Sequence, residues 1–103
     1  MNALEALAEP TRRRIVELLA ERERSAGEIA SHFRTSRPAI SRHLRVLREQ
    51  GLVHAREDGQ RRLYSLDTGP LQELDEWLQR YRGFWDNRLD ALDTEIQRRR
   101  RNP

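Results

Sequence analysis

Residues 25–64 read SAGEIASHFRTSRPAISRHLRVLREQGLVHAREDGQRRLY, and this stretch contains the signals for two helices, a turn between them and a hairpin. Ser25 and Glu28 have the spacing of a capping box, in which a hydroxyl and a carboxylate each bind an unpaired backbone amide at a helix start. A short polar turn follows, and Pro38 suits the first turn of a second helix. We therefore predict a helix-turn-helix in this segment.

The hairpin is marked by the dipeptide Asp58-Gly59, which we predict as its two-residue turn because this pair favours positive φ at both central positions. Residues 52–57 and 60–66 flank the dipeptide as the two strands. Gly51 lies just before them, where a left-handed C-cap would end the preceding helix. A hairpin directly after a helix-turn-helix makes the winged form of that motif.

The second helix of the motif has an apolar side and a polar side. Ile40, Leu44 and Leu47 fall on one side at helical spacing and should anchor the helix in a core. A row of charges on the opposite side is usually a solvated face, but beside a short supporting helix, a tight turn and a wing it favours contact with DNA bases or phosphates. The predicted contacts on this helix are Arg37 at its leading end and Pro38, Ser41, Arg42 and Arg45 on its outer side.

Three arginines surround the predicted wing tip, namely Arg56, Arg61 and Arg62. A basic hairpin beside a recognition helix would reach the neighbouring minor groove or its phosphates. Solvated strand ends are the alternative interpretation. We predict that these three residues also bind DNA.

Composition sets further limits. A chain of 103 residues predicts one domain, and its twenty arginines, with no lysine and a pI near 10.4, favour an anionic partner, although codon bias would also enrich arginine. Cysteine is absent, which excludes disulfides and thiolate metal sites. The N-terminus has no signal-peptide pattern and no apolar run approaches a membrane span, so we expect a soluble cytoplasmic protein without a membrane partner.

The two ends of the chain add helices. Residues 3–8 predict a short helix, and Pro10 opens a second helix that continues to about residue 22. Together with the central segment, the expected fold is mainly α with a small β-hairpin, in the order α-α-α-α-β-β-α. We assign residues 1–97 to one DNA-binding and dimerisation domain and residues 98–103 to a basic C-terminal tail.

The last helix carries apolar residues at alternating three- and four-residue steps, as in a coiled coil: Leu71, Leu74, Leu78, Tyr81, Trp85, Leu89, Leu92 and Ile96. Such a face is too large for a small domain to leave in water, so it predicts dimerisation through the terminal helices. The expected interface consists of Leu74, Leu78, Tyr81, Trp85 and Leu89 together with Leu4 and Leu7 of the first helix. A pocket for an unidentified small-molecule effector between the subunits is the less favoured alternative.

The segments AEPTRRRIVELL, SAGEIA, TSRPAISRHLRVLREQGLV and DGQRRLYSL resemble the ArsR/SmtB family of bacterial transcriptional regulators, and the resemblance runs from about residue 3 to residue 92. It implies a homodimeric winged helix that represses by occupying an operator. Ser36, Ser41, His43 and Leu44 match the family's Ser-x-x-x-x-Ser-x-His-Leu pattern, which implies that Ser36 and His43 belong to the DNA-binding set. Arg37 stands where family members often have glutamine, so a base preference at that point does not transfer.

The family's metal-sensing members have ligands that this chain lacks. Residues 27–29 replace a Cys-x-Cys pair, and the last helix has no histidine. His32, His43 and His54 are spread over two helices and a strand, without the spacing that would place two imidazoles together. We therefore expect a regulator of the non-metal-sensing type with no cofactor.

The sequence thus predicts a dimeric transcriptional repressor that binds double-stranded DNA at an inverted-repeat operator. It does not predict an enzyme, because Ser41 and His43 diverge on one helix and no phosphate-binding glycine loop is present. The alternative is a winged helix that binds proteins without reading DNA. The operator, the regulated genes and any inducer are not encoded in a recognisable way.

Overall fold

The computed structural model describes residues 1–101, in which helices and strands follow one another as α1–α2–β1–α3–α4–β2–β3–α5. Their bounds are α1 Ala3–Ala8, α2 Pro10–Glu21, β1 Arg24–Ser25, α3 Ala26–Ala30, α4 Arg37–Glu49, β2 Val53–Asp58, β3 Arg61–Leu66 and α5 Gly69–Arg101. The predicted order of helices and hairpin is confirmed, with β1 as an addition. These residues form two compact units, which divide after Gln72 within α5.

The added strand turns the predicted two-stranded hairpin into a three-stranded antiparallel sheet in the order β1-β3-β2. Arg24 pairs with Tyr64 and Ser25 with Leu63. Arg24 is buried, and its guanidinium donates to the Leu18 carbonyl at 3.0 Å. The wing, which we define as the β2–β3 hairpin, is therefore held at its inner edge by the segment that connects α2 to α3.

The hairpin turn differs from the prediction by one residue. Asp58 pairs with Arg61 across the ladder, so the turn consists of Gly59 and Gln60 and not of Asp58-Gly59. Gly59 has φ of 64°, and among the described residues no position other than a glycine has positive φ. The expectation of two positive φ values was wrong, because a turn with glycine at its first central position needs only one.

Local capping signals behave as the sequence indicates. Both hydrogen bonds of the Ser25–Glu28 capping box are present at the start of α3. Ser36 caps α4, where its hydroxyl accepts from the Ala39 backbone N–H at 3.3 Å. Gly51 has φ of 72° and follows α4, as predicted for a left-handed C-cap. The recognition helix, α4, is thus fixed at both ends by its own sequence.

Residues 1–72 pack around one apolar core. Ile40, Leu44 and Leu47 on the inner side of α4 are at most 1% exposed, which confirms the predicted inward face. The other members of this core cluster are Ala6, Ile15, Leu19, Ile29, Leu52, Val53 and Tyr64. Because the inner side of α4 is buried against α1, α2, α3 and β2, its opposite side is presented to solvent.

The second unit begins at Glu73 and is helical as far as the structure describes it. Apart from the half-buried Leu74, its large apolar side chains are exposed, namely Trp77, Leu78, Tyr81, Phe84, Trp85, Leu89, Leu92 and Ile96. The sequence predicts that residues 98–103 form a tail beyond the last helix. Arg98 to Arg101 instead lie within α5. Residues 102–103 lie outside the described part of the chain. None of the described helices is long and apolar enough to cross a membrane.

Candidate DNA-binding surface

The solvent side of α4 carries a polar stripe. Ser41, Arg45 and Arg48 follow one another at steps of four and three residues, so they lie on one side of the helix, and all three are exposed. Arg42 is exposed beside them. Ser41, Arg42 and Arg45 are therefore brought together as predicted, and Arg48 extends the stripe by one turn.

A cavity of about 320 Å³ lies between this stripe and the wing, and we call it the helix–wing cavity. It is lined by Ser41, Arg42, Arg45, Arg48, Arg62 and Tyr64. Four of these six residues are arginines and none is acidic. The lining of the cavity is therefore cationic, and it joins the recognition helix to the wing.

None of these four arginines forms an ion pair with a carboxylate among residues 1–101. The four guanidinium groups repel one another, because they are all positive. An anion that entered the cavity would relieve this repulsion and be attracted to several of them at once. Guanidinium groups also match phosphate oxygens in geometry, since each donates two parallel hydrogen bonds.

Tyr64 is an uncharged residue in the lining of the same cavity. The Tyr64 side chain is only 7% exposed, and its oxygen has no hydrogen-bond partner among the described residues. No side-chain oxygen or nitrogen in that part of the chain is both buried and unpaired, so the Tyr64 hydroxyl keeps contact with solvent. It is thus available to donate to a bound anion.

Arg56 is placed differently from the arginines of the cavity. Its Nε and a terminal nitrogen donate to the two carboxylate oxygens of Glu23 at 3.1 and 2.8 Å. This hydrogen bonding lowers the pKa of Glu23 and raises that of Arg56. Arg56 therefore ties β2 to the residue that precedes β1, and its charge is neutralised.

Arg61 is also compensated by carboxylates. It lies 3.4 Å from Asp58 and 4.0 Å from Glu28. The pKa of Glu28 is lowered first by the backbone N–H of Ser25 and next by Arg22, which donates to it at 3.0 Å. Of the three wing arginines in the predicted set, only Arg62 has no ion pair within the described residues.

Arg37 lies on another side of the wing. A cavity of about 490 Å³ brings it together with Gln60, Arg61, Arg62 and Tyr64, and with Ser25, Ala26 and Gly27 at the start of α3. Arg62 and Tyr64 line both this cavity and the helix–wing cavity. Arg37 therefore extends the basic surface from the start of α4 towards the wing tip.

Ser36 and Pro38 are exposed at the start of α4, beside Arg37. His43 is not placed with the other predicted DNA-binding residues. It is half-buried, with its Nδ1 3.3 Å from an Arg12 nitrogen and 3.7 Å from Glu9. Partial burial acts to raise the pKa of Glu9, but hydrogen bonds from the backbone N–H groups of Arg12 and Thr11, with the charges nearby, lower it overall. His43 therefore connects α4 to α2, on the support side of the helix.

Arg48 is the residue that the sequence analysis did not include. Its spacing of three from Arg45 and seven from Ser41 was a usable signal, because it continues the same helical stripe. Its nearness to the wing was not visible in the sequence, since it depends on how β3 folds back beside α4.

Comparison with known proteins identifies the family of the chain. Residues 9–55 match the family model described as "Bacterial regulatory protein, arsR family". The chain is 39% identical over 88 residues to the transcriptional repressor SdpR of Bacillus subtilis, with 85% of this chain and 98% of that protein covered. The chain belongs to the ArsR family of bacterial transcriptional regulators.

Two other comparisons extend this ArsR-family assignment. The HTH-type transcriptional regulator Rv2034 of Mycobacterium tuberculosis is 46% identical, over 85% of this chain and 79% of its own length. A crystal structure of a possible transcriptional regulator for arsenical resistance superposes with a TM-score of 0.74 at 46% identity, covering 92% of this chain and 96% of that one. The protein is thus a DNA-binding transcriptional regulator, and its relatives are regulators and not enzymes.

Metal or small-molecule effectors are known in the ArsR family. Residues 1–101 contain no group of three or more histidine, cysteine, aspartate or glutamate side chains placed to hold a metal ion. The ionisable side chains at the candidate surface are mostly arginines, which are not metal ligands.

Proposed function

We propose that the protein is a homodimeric repressor that binds an inverted-repeat operator, with α4 of each subunit in a major groove and the wing beside it. The observation that carries this proposal is the helix–wing cavity, where four arginines without carboxylate partners lie next to an exposed recognition helix. A helix of this kind on a compact support fits the major groove of B-DNA, where arginine pairs with guanine edges.

The proposed contacts divide by position. Ser41, Arg42 and Arg45 on the outer side of α4 would meet base edges, and Ser36, Arg37 and Pro38 would lie at the helix start near the phosphate backbone. On the wing, Arg62 is the favoured contact because it is not neutralised by a carboxylate. His43 is left out of this set because it contacts Glu9 and Arg12.

Dimerisation is supported by the apolar face of α5. Leu78, Trp85 and Leu89 are 44%, 58% and 62% exposed, and monomeric soluble proteins rarely leave a contiguous apolar face of this kind in water. The coiled-coil spacing of these residues favours a second copy of the same helix as the partner. Tyr81 and the half-buried Leu74 lie on the same face, and in α1 Leu4 is exposed whereas Leu7 already packs partly against the core.

A twofold dimer explains the inverted repeat, since its two recognition helices would meet half-sites about one helical turn apart, near 34 Å. Repression would follow from obstruction of polymerase at a promoter, in the cytoplasm where bacterial DNA is found. An exposed aromatic stretch that includes Trp77 and Tyr81, with ring centroids 5.0 Å apart, is where a small-molecule effector would fit if one exists.

The link between dimer and function is tested with Leu78→Glu. The buried carboxylate should prevent association, because a charge in an apolar interface loses its hydration without a partner. We expect a monomer in sedimentation velocity and a large loss of affinity for an inverted-repeat duplex in fluorescence anisotropy.

Asn87→Glu is the matched control, since it adds the same carboxylate at another exposed position of α5. This variant should remain a dimer that binds DNA as the parent does. A Leu78→Glu protein that is still a dimer with unchanged affinity would contradict the proposed interface.

A further inference from the structure

We propose that Arg48 and Arg62 form a clamp for one phosphate of the DNA backbone in the helix–wing cavity, with the Tyr64 hydroxyl as an additional donor. This inference rests on the proposed DNA-binding function and names one contact within it. It assigns to Arg48 the role of a phosphate-binding residue.

The clamp is built from two elements that approach the same space from different sides. Arg48 comes from α4, and Arg62 and Tyr64 come from β3. Arg62 and Tyr64 are two residues apart in a strand, so their side chains lie on the same face of the sheet. A phosphate in this cavity would therefore receive donors from both the helix and the wing.

Charge favours this occupant over a base. Base edges offer neutral acceptors, whereas a phosphate has a full negative charge that several guanidinium groups can share. Arg48 and Arg62 carry two positive charges, and no carboxylate lines the cavity. Arg45, three residues before Arg48 on the outer side of α4, is left to meet base edges.

The other arginines of the wing differ from those of the clamp because they have carboxylate partners. Arg56 is held by Glu23 through two hydrogen bonds, and Arg61 lies near Asp58 and Glu28. Neutralised arginines release few counterions when DNA binds, so they should contribute little to salt dependence. Arg56 and Arg61 therefore hold the wing in position, and Arg48 and Arg62 bind the DNA phosphate.

The salt dependence of binding tests this division. Each phosphate contact contributes about 0.9 to the slope of log affinity against log salt concentration, so Arg48→Ala should lower the slope by up to about 1.8 in a dimer with two clamps. The loss should be similar for specific and unrelated duplexes, because phosphates carry no sequence information. Arg48→Lys should keep the slope, since it keeps the charge.

Two controls accompany Arg48→Ala. Arg80→Ala removes an exposed arginine of α5 that has no ion pair within the described residues, and it should leave the slope unchanged. Arg56→Ala removes a neutralised arginine and should change the slope by less than half as much as Arg48→Ala. Circular dichroism verifies that each variant is folded.

Duplexes with single methylphosphonate linkages then identify the phosphate. One neutral linkage should weaken binding of the parent protein more than binding of Arg48→Ala, which has already lost one of the guanidinium groups that hold that phosphate. Calorimetry of pyrophosphate binding to the protein tests the alternative occupant of the cavity, which is a free phosphorylated ligand.

The outcomes are distinguishable. If the parent protein binds no duplex at any salt concentration, both the proposed function and the clamp are wrong. If the parent binds DNA but Arg48→Ala has the slope of Arg80→Ala, only the clamp is overturned. Tight pyrophosphate binding that needs Arg48, with an unchanged DNA slope, would also overturn the clamp, in favour of a free ligand.

Discussion

Replacing Leu44 with alanine tests whether the buried side of α4 stabilises the fold while the exposed side of the same helix binds DNA. Leu44 is 1% exposed and belongs to the core that holds α4 against α1, α2, α3 and β2. Its neighbour in sequence, Arg45, is exposed on the other side of the helix. Leu44→Ala should therefore lower the stability of the fold, whereas Arg45→Ala should lower DNA affinity.

The expected magnitude follows from burial. Leucine-to-alanine changes in protein cores cost about 2–5 kcal/mol of unfolding free energy, depending on how far the site collapses. Packing of α4 against four elements leaves little room for collapse, so we expect about 3 kcal/mol or more. For a domain near 100 residues, a loss of about 3 kcal/mol lowers Tm by roughly 12–24 °C.

Thermal unfolding followed by circular dichroism measures this loss, at one fixed protein concentration because association would shift Tm. Arg45→Ala should change the unfolding free energy by no more than about 0.5 kcal/mol, as is usual at exposed positions. At low temperature Leu44→Ala should still bind DNA within a few-fold of the parent, because most molecules remain folded. A Tm within about 4 °C of the parent would mean that Leu44 is not packed in the core and would refute this placement of α4.

Two further predictions concern the backbone and pH. Gly51→Ala should lower the unfolding free energy by about 1 kcal/mol or more, because φ there is 72°. Gly83→Ala in α5, where an added Cβ meets nothing within 4 Å, should raise the unfolding free energy by about 0.5–1 kcal/mol. Urea unfolding measures both variants, and effects of the same sign would contradict this prediction. The pKa of Glu23 is lowered by Arg56, so the stabilisation from this pair should be present at neutral pH and lost as pH falls through the folded-state pKa, which lies below 4.5. The stability difference between the parent and Glu23→Gln in urea unfolding should accordingly shrink in acid, and a difference independent of pH would count against the ion pair.

Much of the fold was predictable because its signals are local. The capping box at Ser25 and Glu28 and the glycine at position 51 determine where helices begin and end through bonds between residues close in sequence. The inward face of α4 follows from helical spacing alone. By contrast, β1 has only two residues and exists through pairing with Leu63 and Tyr64, which no local pattern reveals.

The turn shows how a local signal misleads. Asp-Gly is a strong hairpin dipeptide, but the register of the ladder pairs Asp58 with Arg61 and moves the turn to Gly59 and Gln60. Register depends on which side chains of both strands face the core, and Leu63 and Tyr64 are buried in this arrangement.

The sequence predicts where the candidate surface lies, but it does not show which of its residues are free to bind DNA and which are held by contacts within the protein. Arg56 and Glu23 are 33 residues apart, and His43 and Arg12 are 31 apart, so their contacts depend on the tertiary fold. Counting arginines near the wing tip therefore could not separate those that carry free charge from those held by carboxylates. Arg48 continues the helical stripe of Ser41 and Arg45, but its nearness to Arg62 depends on how β3 folds back beside α4.

The central claim is that this protein reads DNA sequence through α4. Selection of bound sites from a random duplex library at near-physiological salt tests it most directly, with Arg45→Ala and Arg62→Ala selected in parallel. We predict enrichment of an inverted repeat by the parent protein, weakened at defined positions by Arg45→Ala and more uniformly by Arg62→Ala. The absence of any enriched motif would contradict the account and favour a winged helix that binds proteins or attracts DNA without reading it.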